Sequence, residues 1–386
     1  MTHFATLEDP RMARTRRHSL GDMLTIAICG FVCGVDNWVE LQAFAKAKES
    51  WFRSFLELPN GIPSHDTFGR LFSSLDPEGF SRCFMSWMRA IADATEGDVV
   101  AIDGKTLRRS FDRAAGKAAI HMVSAWSTRN GMVLGQVKTE AKSNEITAIP
   151  RLLELLHVQG CIVTIDAMGC QREIAQDIVD RGADYVFSLK GNQSGLHEEV
   201  TRLFTEAREE SFETLKHDYC ESLEKDHGRI ERRECWVTGQ LDGMKRTERW
   251  PSLGSIGMVK ATRIIGEVQS VEIRYFISSL PGDDAMKFAS AVRRHWEVEN
   301  NLHWVLDVAF DEDSCRVRKD NAPENMAMLR HTALNLLKAD TLARVGLKTR
   351  RKLAGWDESY LLHLLGLPGA YSPPVPTKGP RAPKKG

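Results

Sequence analysis

Long apolar runs are missing from the 386-residue chain, so no stretch reads as a membrane span. Its first residues, Met1 to Pro10, carry acids and no apolar core, which argues against a secretory signal, and the expected compartment is the cytoplasm. The eight cysteines include no Cys-x-x-Cys pair, and no histidine is spaced to complete a zinc site. A reducing compartment fits all eight. Charge of one sign is missing too: 52 basic residues face 52 acidic ones, which speaks against indiscriminate coating of nucleic acid. What remains is an ordinary globular composition, 42% hydrophobic, at a length that suggests two or three domains.

One stretch stands out against this background, Arg294-His295-Trp296-Glu297-Val298-Glu299-Asn300-Asn301-Leu302-His303-Trp304-Val305-Leu306-Asp307. At about 100° per residue, Val298, Leu302, Val305, Leu306 and Ala309 cover one arc of a helix, with Val292 at its edge and Glu299 on its rim. Glu297 falls on the far side, where a solvated charge is expected. A helix of this kind delivers one acid to the margin of a packed sheet.

Two further acids end short β-branched runs, Val99 to Lys105 with Asp103 and Cys161 to Ala167 with Asp166. Either Asp alone is as readily the cap of a following turn. Between them, Ala119 to Trp126 and Met132 to Thr139 read as strands joined at Asn130-Gly131, a strong hairpin signal. Ile146 to His157 reads as a helix, Arg172 to Arg181 as another, and Asp184 to Lys190 as a strand. This order predicts a ribonuclease-H-like core, α/β with a mixed five-stranded sheet, in which the first and fourth strands lie side by side and unite Asp103 with Asp166.

The interval from Asp166 to Glu299 far exceeds one strand and a turn, and Arg229 to Gly239, Gly257 to Ile265 and Val271 to Ser279 have β character. The expected organisation is an N-terminal helical, DNA-binding candidate domain over 1–97 and a catalytic domain over 98–338 with a β-rich insertion at about 216–282. A C-terminal helical segment with a basic Pro/Gly-rich tail fills 339–386. Within the first domain Ser64 is placed to cap a helix, as in a helix-turn-helix or a plain helical hairpin.

Six pieces now carry a family resemblance: Ala101-Ile102-Asp103-Gly104-Lys105, Lys142-Ser143-Asn144-Glu145-Ile146, Thr164-Ile165-Asp166-Ala167-Met168, Ser188-Leu189-Lys190-Gly191-Asn192-Gln193, His227-Gly228-Arg229 and Glu299-Asn300-Asn301-Leu302-His303-Trp304. Together they resemble bacterial insertion-sequence transposases of the DDE type, in the H-repeat-associated (ISAs-type) family. The resemblance implies that Asp103, Asp166 and Glu299 form a catalytic triad holding two Mg²⁺ or Mn²⁺ ions. It further implies cleavage of DNA at element ends and transfer of the freed 3′-hydroxyl to target DNA. Synapsis of two ends implies a homodimer. A nuclease of the same fold without strand transfer, and a DNA-binding relic without chemistry, are the alternatives. Related transposases carry Tyr-x2-Arg-x3-Glu-x6-Lys around the Glu, and here Val292, His295 and Leu306 occupy those positions.

Two-metal phosphodiester chemistry needs oxygen ligands and a stabilised leaving oxygen, which three carboxylates plus substrate phosphate satisfy. Basic residues near the acids are the candidate DNA contacts: Lys105, Arg108 and Arg109 after the first Asp, Arg316 and Arg318 after the Glu helix, and Lys190, Asn192, Arg229, Arg294 and His303. His295, one turn before Glu299, has a packing role as its plainer reading, as has His303. The acidic run Asp311 to Asp313 is a substitute source for the third ligand.

Overall fold

Local capping accounts for the helices that open the chain. Ser19 accepts from the backbone N–H of Asp22 to start α1 (Leu20–Val32), and Asn37 accepts from Glu40 N–H to start α2 (Trp38–Ala47). Glu40 reaches back to the N–H of Asp36 at 2.9 Å, closing a reciprocal cap that explains the Asp36-Asn37 break between the two. Next come α3 (Glu49–Phe52), α4 (His65–Ser74), whose start Ser64 caps through the N–H of Thr67 at 3.2 Å, and α5 (Pro77–Ile91). The structure is a computed structural model that describes residues 2–91, 96–111, 116–140, 145–226, 228–367 and 371.

Strand β1 (Val99–Thr106), β2 (His121–Ser127) and β3 (Met132–Lys138) form an antiparallel meander. Gly131 supplies the positive φ of 63° that the hairpin turn requires. Helix α6 (Glu145–Leu155) leads to β4 (Ile162–Ile165), α7 (Arg172–Asp180) to β5 (Asp184–Leu189), and α8 (Ser194–Glu209) follows. β1 pairs parallel with β4 and β4 parallel with β5, so the core order is β3-β2-β1-β4-β5, the ribonuclease-H-like arrangement.

The β-rich stretch then adds β6 (Asp218–Asp226), β7 (Arg229–Thr238), β8 (Ser255–Ile265) and β9 (Val268–Ser278). Because β9 pairs antiparallel with β5, these four strands continue the same sheet to nine strands. β6 is absent from the sequence reading; it is a charged strand at the sheet edge, where charge discourages further pairing and also hides the apolar alternation.

One face of the core sheet is covered by α6, α7 and α8 over Val100, Ile102, Val163, Ile165, Tyr185 and Phe187. The other carries α9 (Ala285–His295), which packs Phe288, Ala291 and Val292 on Val99, Ile162, Val186 and Phe276. After α9 comes a π-helical turn, Glu299–His303, then α10 (Trp304–Phe310) and α11 (Ala322–Ala339). The straight helix expected through Glu299 is corrected here. The wider turn shifts the later positions, so Val298, Leu302 and Leu306 are buried while Val305 is only half-buried.

Two compact units emerge, and their borders fall inside α4 and α11. The first, 1–15 with 69–328, contains the whole sheet. The second, 16–68 with 329–386, is helical and includes α12 (Leu347–Trp356) and α13 (Glu358–Leu364). Within it Arg351, 3% exposed, donates to the carbonyls of Phe31 and Val35 and to Asp36 at 2.9 Å, tying α12 to α1. The tail basic residues Lys378, Arg381, Lys384 and Lys385 lie outside the described residues. No helix among the described residues is long and apolar enough to cross a membrane.

Candidate active site

Register alone brings the two aspartates together. The parallel β1–β4 ladder runs from Val99 opposite Ile162 to Ile102 opposite Ile165, so the next pair is Asp103 and Asp166, on neighbouring strands about 4.8 Å apart. Opposed residues point to the same face, and this is the face that α9 crosses. One pocket there is lined by Asp103, Thr164, Asp166, Ser188, Lys190, Arg274, His295, Trp296 and Glu299. The chain does not end β1 at Asp103 as the sequence suggested. It continues to Thr106, because β2 still pairs with it after β4 has diverged.

Burial dominates the electrostatics of all three acids. Burial, followed by the repulsion of Glu145, Asp166 and Glu299, pushes the Asp103 carboxyl up to about 7 against the opposing backbone hydrogen bond from Gly104. Burial raises Asp166 as well, with Glu145 adding to it, and burial raises Glu299, partly offset by Arg274. Each acid therefore favours a nearby cation. Among the described residues no three His, Cys, Asp or Glu side chains are gathered closely enough to hold a metal ion by themselves. The three acids share the pocket and offer oxygen donors only, the class of ligand that Mg²⁺ takes.

Glu145 is a fourth carboxylate that the sequence reading left without a role. It opens α6, is 12% exposed at its side chain, and accepts from His121 Nε2 at 2.7 Å, while His121 Nδ1 meets Thr106 at 2.8 Å. Gly104 makes room for this pair: a Cβ there would lie 2.1 Å from the Glu145 carboxylate and 2.3 Å from His121. The signal was present in Asp103-Gly104 and in Asn144-Glu145, but nothing local says that they meet. Lys142, Ser143, Asn144 and His227 lie outside the described residues.

The remaining expected residues divide by position. Lys105 is spoken for: its ammonium pairs with Asp307 and with Glu312 at 2.9 Å, and it is 13% exposed. Burial works against its charge, but Glu312 and Asp307 outweigh that and hold its pKa above the ordinary lysine value. Glu312 and Asp313, the substitute ligands, are thereby engaged by Lys105 and, at 3.2 Å, by Arg108. His303 comes to 3.4 Å from Asp103. Asn192 donates to the carbonyl of Ala167 at 2.5 Å, bracing the loop that carries Asp166, while Lys190 lines the pocket itself. Arg318 covers Phe111 at 4.7 Å and donates to the Arg109 carbonyl, and Arg316 is exposed.

Arg294 is half-buried and lines neither this pocket nor the larger cleft beside it, whereas its neighbour Arg293 and the expected Arg229 both line that cleft. Glu297 is half-buried rather than fully solvated and does not line the pocket. His295 accepts from or donates to Thr164 at 3.1 Å, and burial lowers its pKa to about 4, so it is neutral near pH 7. Val292 and Leu306, at two of the signature positions, are core residues. Arg274 was missed altogether, because it stands on β9 and reaches the pocket only through β5–β9 pairing.

Comparison with known proteins shows the family. Residues 94–336 match the family described as Transposase DDE domain, and residues 1–88 match the region described as DDE_Tnp_1-associated. The chain is 40% identical over 372 residues to "H repeat-associated putative transposase YhhI" of Escherichia coli (strain K12), covering 95% of this chain and 97% of that protein. It is 41% identical over 369 residues to "Putative transposase YncI" of Escherichia coli O157:H7, covering 95% and 94%. Among solved structures, a piggyBac transposase synaptic complex with hairpin DNA overlaps with a TM-score of 0.46 at 12% identity, covering 95% of this chain and 77% of that one, too loosely to argue from.

Proposed function

Because the chain belongs to the DDE transposase family, we propose that it cuts DNA at the ends of a mobile element and joins the freed 3′-hydroxyl to target DNA. The observation that carries this is the register that sets Asp103 beside Asp166 in a pocket shared with Glu299. Divalent cations are the family's usual cofactor, and two Mg²⁺ or Mn²⁺ ions bound here would activate the attacking oxygen and stabilise the leaving one. Asp103, Asp166 and Glu299 would hold the ions through their carboxylate oxygens.

The chain's own side chains supply the surroundings. His303 and the Glu145–His121 pair orient the Asp103 side of the site, and Asn192 steadies the turn after Asp166. His295, which burial keeps neutral near pH 7, fixes the α9 end against Thr164. Lys190 and Arg274 soften the repulsion that an anionic strand meets on approaching three carboxylates. Two such sites acting on two element ends imply a homodimer during synapsis.

The test is Mg²⁺- or Mn²⁺-dependent cleavage and joining of DNA bearing the element's own ends. Loss with Glu299→Gln and survival with Glu297→Gln, together with joined products, support strand transfer. Cleavage without joining favours a ribonuclease-H-like nuclease, and end binding without cleavage favours the silent relic. Activity in Glu299→Gln would move the third acid elsewhere.

A further inference from the structure

The acid-lined pocket opens into a larger cleft between α9 and strands β6 to β9, and Arg274 and Trp296 line both. The cleft carries Arg229, Arg233, Arg263 and Arg293. These four share two carboxylates: Glu231 pairs with Arg229 at 3.5 Å, Arg233 at 2.7 Å and Arg263 at 3.7 Å, and Glu224 with Arg233 at 3.0 Å and Arg293 at 3.4 Å. Counting Arg274, five guanidiniums face four carboxylates in this cleft, Glu221, Glu224, Glu231 and Glu272, an excess of one positive charge toward an anionic chain.

Arg274 stands at the threshold with unusual preparation. Its guanidinium carbon lies 4.3 Å from the centre of the Trp296 ring, and its Nε donates to Glu272 at 2.7 Å. A guanidinium has five N–H donors in one plane, and the Nε contact uses one of them. Among the described residues Glu272 is its only ion-pair partner within 4 Å, although Glu299 lines the same pocket. Extending the pairing of Ser188 with Phe276 sets Lys190 opposite Arg274, so the two cations of the pocket lie on its β5–β9 side, away from Asp103. A planar fork fixed at two points beside the three carboxylates is the arrangement that binds a phosphate in one orientation.

Building on the transposase reading above, we propose that Arg274 is a DNA-phosphate-binding residue. It grips a phosphodiester next to the reacting one, Trp296 and Glu272 hold the plane of its fork, and the strand leaves the acids across this pair into the arginine-lined cleft. The plainer role, a surface ion pair with Glu272 on one strand, predicts no effect on DNA.

The experiment measures binding of end DNA in EDTA by fluorescence anisotropy across a salt series, for wild type, Arg274→Lys and Arg274→Gln. Arg274→Gln should weaken binding about tenfold, as expected for a lost charge-assisted bond, and flatten the salt slope by about one counterion. Arg274→Lys should restore the slope but only part of the affinity, because an ammonium cannot reproduce the fork. End DNA with one neutral methylphosphonate at successive positions near the cut gives the second readout, on wild-type protein. One position should weaken wild type by the same factor and Arg274→Gln no further. Unchanged affinity in Arg274→Gln, or no sensitive position in wild type, would overturn the assignment. Failure of wild type to bind end DNA at all would instead remove the transposase reading on which it rests.

Discussion

Replacing Lys105 by Met tests whether this lysine holds the site together rather than touching DNA. Its ammonium sits between Asp307 and Glu312, with side-chain exposures of 13% for the lysine, 33% for Asp307 and 1% for Glu312. Removing one member of a buried ion pair typically destabilises by about 3–5 kcal/mol, because the other charge stays buried. Asp307 can rehydrate and Glu312 cannot, so Lys105→Met should fall near the lower end, about 3 kcal/mol. The assay is equilibrium urea unfolding, with Glu312→Gln and the double variant completing a mutant cycle. The double variant should recover a large part of the loss, since no buried charge is then stranded. Without its partner, Glu312 has a folded pKa raised above its unfolded value near 4.3, so the deficit should grow as pH rises from 4 to 7. A loss under about 1 kcal/mol, additivity in the cycle, or a deficit independent of pH would refute the reasoning.

Gly104→Ala should push the Glu145 carboxylate off His121 and destabilise by about 1.5–3 kcal/mol, the range for a hydrogen bond to a charged group. Unfolding midpoints equal to wild type would show that the pair relaxes freely. In EDTA, thermal stability should decline as pH rises from about 4 through 7. The folded protein holds the Asp103 proton, up to about 7, more tightly than the unfolded chain does, so that contribution is complete at low pH and lost above it. Mg²⁺ should flatten the decline and Asp103→Asn should reduce it; the same slope in Asp103→Asn would assign it elsewhere. Arg351→Met should destabilise the helical unit by about 1–3 kcal/mol, because the carbonyls of Phe31 and Val35 lose their donor while Asp36 can rehydrate, as read by circular dichroism melting.

Strong local signals made much of the core legible. Asn130-Gly131 set the hairpin, Ser64 set a helix start, and two β-branched runs ending in Asp marked β1 and β4. Periodicity succeeded least where a local rule was broken. At Glu299 an assumed 100° per residue met a π-helical turn, which moved Val305 out of the buried arc. At β6 an edge strand carried charges in place of the alternation that announces a half-buried one. Lys105 shows another limit of local signals: a lysine after an acid looks the same in sequence whether it meets a phosphate or a buried glutamate.

The sequence by itself determined which strands carry the two aspartates, that a helix carries Glu299, and that the three acids are far apart along the chain, because these follow from side-chain periodicity and turn chemistry within short windows. Only the tertiary structure decided that β9 docks beside β5, that Glu145 and His121 fill the space Gly104 leaves, and that Lys105 faces Glu312. Those contacts join segments dozens to hundreds of residues apart, and no local preference of either partner encodes a distance between them.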